Sequence, residues 1–199
     1  MAKLLNWQKF ERSLKAKRIL LFSTNDICRL FGTTRIAATF LLHRYSLKGY
    51  VIRIKRGLYV FPDAVPPEPF IANAISLPSY VSLEFALSYH GVIPETVYEM
   101  TSITTKSTRR FHVLGKDYVY RSVRRKAFTG YATGQQQGFR FSIADAEKAF
   151  VDAAFFRMYD ELSPLSRFDK TKLDPKKVER YAYLFHNEKL VRLLRTTFR

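Results

Sequence analysis

The 199-residue chain carries 34 Lys plus Arg against 17 Asp plus Glu, a formal net charge of +17, which excludes an ordinary metabolic domain as the default and points to a polyanionic partner, nucleic acid ahead of an anionic membrane surface. With 47% hydrophobic and 15% aromatic residues and eight each of Gly and Pro, the sequence is no disordered basic tail, collagenous repeat or low-complexity linker, and it can build a core. Cys28 is the sole cysteine, so neither a disulfide framework nor a thiolate metal site is expected, in keeping with a reducing cytoplasm.

The N-terminal stretch MAKLLNWQKFERSLKAKR is broken by charge every few residues and lacks the apolar run of a signal peptide. Leu4, Trp7, Phe10 and Leu14 lie at helical spacing, which predicts an amphipathic helix over 4–17. A short apolar run, Ile19 to Phe22, leads to Ser23-Thr24-Asn25-Asp26, a cluster of N-cap residues. Ile27, Leu30 and Phe31 then supply an apolar face before Gly32 stops the segment. Thr33 or Thr34 caps a longer helix through Ile36, Ala37, Phe40, Leu41, Tyr45 and Leu47, ended by Gly49. Short helix, glycine turn and longer helix predict a helix-turn-helix, whose second helix enters the major groove.

Residues 50–55 alternate apolar and basic side chains, Arg56-Gly57 supplies a turn, and Leu58 to Phe61 returns as a second strand. That hairpin is the expected wing, presenting Arg53, Lys55 and Arg56 to phosphates. On the longer helix, Ile36, Phe40, Leu41 and Leu47 are the expected core face. Thr33, Thr34, Arg35, Thr39, His43 and Arg44 remain as the outward or flanking set for DNA. Arg35 suits guanine through its bidentate fork, and the threonines suit phosphates or a thymine methyl. Any one of these residues also fits a solvated helix face. His43 fits a phosphate contact or an exposed position better than a pH switch, because no acidic residue sits at helical spacing.

Residues 1–62 hold 13 Lys plus Arg and 2 Asp plus Glu, whereas residues 63–199 hold 21 and 15, so most of the surplus charge lies in less than a third of the chain. The split falls at PDAVPPEP, Pro62 to Pro69, whose four prolines predict a stiff connector. The expected organisation is a winged helix-turn-helix over 1–62, a linker over 63–70 and an α+β domain over 71–199.

In that last domain, Phe70 to Ile75 predicts a short helix, Leu77 to Ser82 a turn, and Ser82 a cap for a helix from Leu83 to His90. From Tyr98 to Phe141 the pattern turns β-rich, and segments such as Phe111 to Leu114, Tyr118 to Val123 and Phe139 to Ile143, separated by Gly115-Lys116-Asp117 and by 134–138, predict several antiparallel strands. Asp145 opens a helix over Ala146 to Tyr159. Two terminal helices follow, Pro175 to Phe185 and Glu188 to Phe198, with Asn187 between them.

IKRGLYVFP (54–62), PSYVSLEFALSYHGVIPE (78–95), RRFHVLGKDYVYRSV (109–123) and ADAEKAFVDAAFF (144–156), in that order, resemble the AbiEi family, the antitoxins of type IV abortive-infection toxin–antitoxin systems. The resemblance covers about residues 20 to 160. It implies a cytoplasmic transcriptional repressor whose winged helix-turn-helix binds repeats in its own promoter. It also implies a C-terminal domain that counteracts a nucleotidyltransferase toxin without needing to touch it.

Catalytic motifs are scarce. The sequence has no P-loop, GxGxxG, HExxH or GxSxG, and His43, His90, His112 and His186 show no ligand-like spacing, so neither a metal nor a cofactor is expected. Asp145, Glu147, Lys148 and Asp152 are the one nuclease-like set. They fit a structural role better: Asp145 at a helix start, Glu147 accepting from backbone or an arginine, Lys148 exposed. Arg121, Arg124, Arg125 and Lys126 suit either a solvated strand end or a second nucleic-acid surface. Two alternatives stand beside the repressor: an RNA-binding or nuclease-like protein acting on the toxin's RNA substrate, and a stand-alone regulator. No membrane partner is expected.

Overall fold

Residues 6–198 are described by the computed structural model, and two units divide them, the first ending at Pro67 and the second beginning at Glu68. Leu4, expected in the first helix, lies outside the described residues.

In the first unit, Asn6 accepts from the backbone N–H of Gln8 and opens α1 (Trp7–Ala16), whose Phe10 and Leu14 are buried. A short strand β1 (Leu21–Ser23) runs into α2 (Thr24–Phe31). Ser23 and Asp26 form a reciprocal capping box: the Asp26 N–H donates to Ser23 Oγ at 3.2 Å, and the Ser23 N–H donates to Asp26 Oδ2 at 2.8 Å. Gly32 ends α2 at φ 60°, a left-handed conformation that favours glycine. Thr34 then caps α3 (Arg35–Leu47) by accepting from Ala37 N–H at 3.3 Å.

The chain returns through β2 (Ile52–Lys55) and β3 (Leu58–Val60). These strands and β1 make an antiparallel sheet in the order β1-β3-β2, with Val60 opposite both Leu21 and Ile52. The core joins the helices to the sheet through Phe10, Phe22, Ile27, Leu42, Tyr45 and Phe61. Some of its rings pack edge-on or tilted, Phe10 on Tyr45 at 5.2 Å and Phe22 on Phe61 at 5.0 Å between centroids, and others stack, as Phe10 does on Phe31 at 5.6 Å.

The second unit is α+β. The expected connector over 63–70 is shorter than its prolines suggest, because Glu68 already opens α4 (Glu68–Ile75); Pro69 sits in the first turn, where a missing N–H costs nothing. Then come β4 (Ser79–Val81), α5 (Leu83–Tyr89), β5 (Met100–Thr104), β6 (Arg109–Val113), β7 (Lys116–Ser122), β8 (Tyr131–Gln136), β9 (Phe139–Ala144), α6 (Ala146–Tyr159), α7 (Pro175–Tyr183) and α8 (Glu188–Thr197).

The six strands form one sheet in the order β6-β7-β5-β4-β9-β8. It is mixed rather than antiparallel as expected: β5 pairs with β7 and β4 with β9 in parallel. Two central strands are not marked out by polar alternation, although the second lies within the β-rich stretch 98–141. Residues 79–81, expected in a turn, and residues 100–104 are buried at every position, and strands covered on both faces show no polar alternation. The turns also differ by a residue or more: Leu114-Gly115 and Gln137-Gly138, each with positive φ at both positions, close the two hairpins. Among the described residues no helix is long and apolar enough to cross a membrane.

Candidate nucleic-acid interface

On α3 the buried residues are Ala38, Leu41, Leu42 and Tyr45. At about 100° per residue these fall on one side of the helix. Ile36, Phe40 and Leu47 fall within an arc of about 40° on the other side, and they are 72%, 70% and 76% exposed. The expected core face is therefore corrected: of its four residues only Leu41 is inside. Two apolar stripes interleave on this helix, and spacing alone does not say which meets the core.

The polar residues of α3 flank the outer stripe. Thr34, Arg35, Thr39, His43 and Arg44 are all exposed, and Thr33 is half-buried. The Thr39 hydroxyl donates to Arg35 O at 2.8 Å, which leaves its methyl and lone pairs for an outside partner. Thr34 Oγ1 accepts from Ala37, so its own proton remains available to an acceptor. Arg35, Arg44 and Arg56 make no ion pair among the described residues. The acids of this unit are engaged elsewhere: Glu11 and Asp63 with Lys15, each at 2.6 Å, and Asp26 with Arg29. Partial burial alone would raise the Asp26 carboxyl, but donation from the Ser23 hydroxyl and N–H and from Arg29 outweighs it and holds Asp26 below its usual range.

The hairpin places Arg53 and Arg56 in solvent and Lys55 half-buried. Gly57 occupies the turn at φ 77°, the glycine position of a type II turn. Its carbonyl accepts from Thr24 N–H at 3.1 Å, which pins the hairpin tip to the start of α2.

In the second unit the 121–126 cluster is divided. Arg121 is bound bidentately to Asp160 at 2.7 and 2.8 Å and lies 4.4 Å from the Phe156 ring, so its guanidinium already has a partner within the fold. The Asp160 carboxyl is pulled below its usual range by that guanidinium. Arg124, Arg125 and Lys126 are exposed on a single 3₁₀ turn. Beside them a cleft of about 310 Å³ is lined by Arg124, Phe155, Phe185, His186 and Asn187 among others.

The nuclease-like set is taken up in two ion-paired groups, Asp145 and Glu147 about Lys177, and Lys148 with Asp152. Asp145 caps α6 by accepting from Lys148 N–H at 2.8 Å and accepts from Tyr181 Oη at 2.7 Å. Glu147 accepts from the Asp174 backbone at 3.2 Å and from Lys177 at 2.8 Å. Lys148, expected in solvent, is completely buried with Asp152, and Ser82 does not cap α5 but donates to Asp152. Among the described residues no three His, Cys, Asp or Glu side chains gather as a metal would require. No protein-family model matches the chain, and no curated protein matches it in sequence.

Proposed function

We propose that the first unit is a winged helix-turn-helix that binds double-stranded DNA, and that the whole protein is an autoregulatory repressor with an antitoxin-type second unit directed against a nucleotidyltransferase toxin. The observation that carries the DNA-binding part is α3 itself: a solvent-facing helix with two unpaired arginines and no acid, followed at once by a hairpin with Arg53, Lys55 and Arg56. The element order, with a helix pair broken at a left-handed glycine and a sheet in the order β1-β3-β2, agrees with that module. In this reading Arg35 provides base contacts, while Thr33, Thr34, Thr39, His43, Arg44 and the hairpin cations hold phosphates. The antitoxin role rests on the resemblance of residues 54–62, 78–95, 109–123 and 144–156 to the AbiEi family.

A gel-shift titration with the duplex upstream of the protein's own gene tests the first part. The expected result is preference over random duplex and affinity falling steeply with salt; equal binding to both duplexes overturns it. Co-expression with a nucleotidyltransferase from the adjacent reading frame, scored by growth, tests the second. A second reading has its own observation: Arg124, Arg125 and Lys126 beside an apolar cleft suit an RNA strand, and it predicts tighter binding to structured RNA than to any duplex DNA.

A further inference from the structure

We infer that the outer stripe of α3 reads the 5-methyl groups of thymine in the major groove, with Ile36 and Phe40 as the reading side chains. This rests on the DNA-binding reading above and gives it a base preference that Arg35 alone does not supply.

Ile36, Phe40 and Leu47 are large apolar side chains, each at least 70% exposed, aligned on one side of a helix whose opposite side already fills the core. Their neighbours are Arg35, Thr39, His43 and Arg44, and α3 contains no acidic residue. The surface that covers this stripe must therefore be polyanionic and yet offer apolar groups between its charges. In duplex DNA the thymine methyl is the apolar group that projects into the major groove among hydrogen-bonding edges and phosphates.

A second copy of the chain fits poorly. A two-fold contact would set Arg35 and Arg44 against their own counterparts with no carboxylate between them. Three side chains also fall well short of the roughly 800 Å² per partner of a stable interface. Base stacking on Phe40, the mode of single-stranded nucleic acid, would use one ring and leave Ile36 beside it uncovered.

The spacing is suitable as well. Ile36 and Phe40 are one turn apart, about 6 Å along the axis, close to two base-pair steps at about 3.4 Å each. Two thymines one or two base pairs apart are the expected target.

The test uses the full chain and a duplex enriched by it from a randomised pool, then the same duplex with deoxyuridine at single thymines. Uracil keeps the hydrogen-bonding edge and the charge and removes only the methyl. Each methyl facing α3 is expected to contribute about fourfold in affinity to the wild type. Ile36→Ala and Phe40→Ala should each abolish one of these dependences, while Arg35→Ala binds the enriched duplex more weakly but still prefers thymine to uracil in it. Both stripe residues are exposed, so unchanged melting confirms that the variants fold. Enrichment of a duplex that is bound equally with thymine or uracil overturns the inference and leaves DNA binding intact. Failure to enrich any duplex overturns both. A Phe40→Ala variant that changes sedimentation but not duplex affinity shows that the stripe covers another copy, and overturns the inference too.

Discussion

Lys148 Nζ donates to Asp152 Oδ1 one turn along α6, and both side chains are shut off from solvent. The other carboxylate oxygen accepts from Tyr80 Oη at 3.1 Å and Ser82 Oγ at 2.8 Å, so a single acid ties α6 to the central strand β4 and to the start of α5. The Lys148 ammonium also lies 4.9 Å from the Phe185 ring and 5.6 Å from the Tyr80 ring. Burial pushes Lys148 below the usual lysine range and Asp152 above the usual carboxylate range, each opposed by the other's charge.

Lys148→Met should destabilise the protein by about 3 kcal/mol, because it strands a buried carboxylate. The loss should depend on pH in a definite direction. With its partner gone, Asp152 has a folded pKa above its unfolded one, so stability is retained below the unfolded value and lost as pH rises through the folded value. Thermal melts of wild type and variant from about pH 4 to about pH 8 check this; the gap between them should widen towards neutrality.

Asp26 gives the opposite sign. Its carboxyl is held low by the capping box and Arg29, so its contribution is present above the ordinary carboxylate range and disappears as pH falls through the depressed folded value. Asp26→Ala should cost about 1 kcal/mol near neutrality and little in strong acid. Denaturant titrations at both pH values measure the difference.

Gly130 stands at φ 76°, and a Cβ there would lie 2.7 Å from Tyr181 Cζ and 2.9 Å from Lys148 Cγ. Gly130→Ala should therefore cost about 2 kcal/mol or more, from the backbone conformation and from the push against both side chains. Gly138 also has a positive φ, 82°, but open space around it. Gly138→Ala should be milder, and comparison of the two melting curves separates packing from backbone strain.

Arg56→Ala, at the hairpin tip, should weaken specific and random duplexes alike and lower the salt slope of binding by about one. Arg35→Ala should instead reduce the preference between them. Competition gel shifts over a range of salt concentrations distinguish the two patterns.

Element ends were legible where a side chain signals them. Ser23, Gly32, Thr34, Asp145 and Asn187 each sit where their capping chemistry suggests, and α6 spans Ala146–Tyr159 as expected. What the sequence hid depends on tertiary cover. The SYV of 79–81 and the MTSIT of 100–104 lack alternation because both faces are buried. The outward polar residues of α3 lie in solvent as expected, whereas its core face is misread from spacing because each side of that helix offers an apolar stripe. Lys148 and Asp152 did carry a signal: an acid four residues after a lysine, with only Ala, Phe and Val between them, is the spacing of an ion pair on a helix with no solvated side there.

The parallel pairing of Val81 with Ile143 has a kinetic consequence. During synthesis β4 emerges long before β9, and its inner edge stays unpaired until β9 is out of the ribosome. The β1-β3-β2 sheet needs no residue beyond Val60. The first unit, built from nearby pairings, should thus mature early, whereas the second waits on a distant partner and folds slowly. A nascent chain whose residues up to Pro67 have all left the ribosome would then already hold a finished basic module.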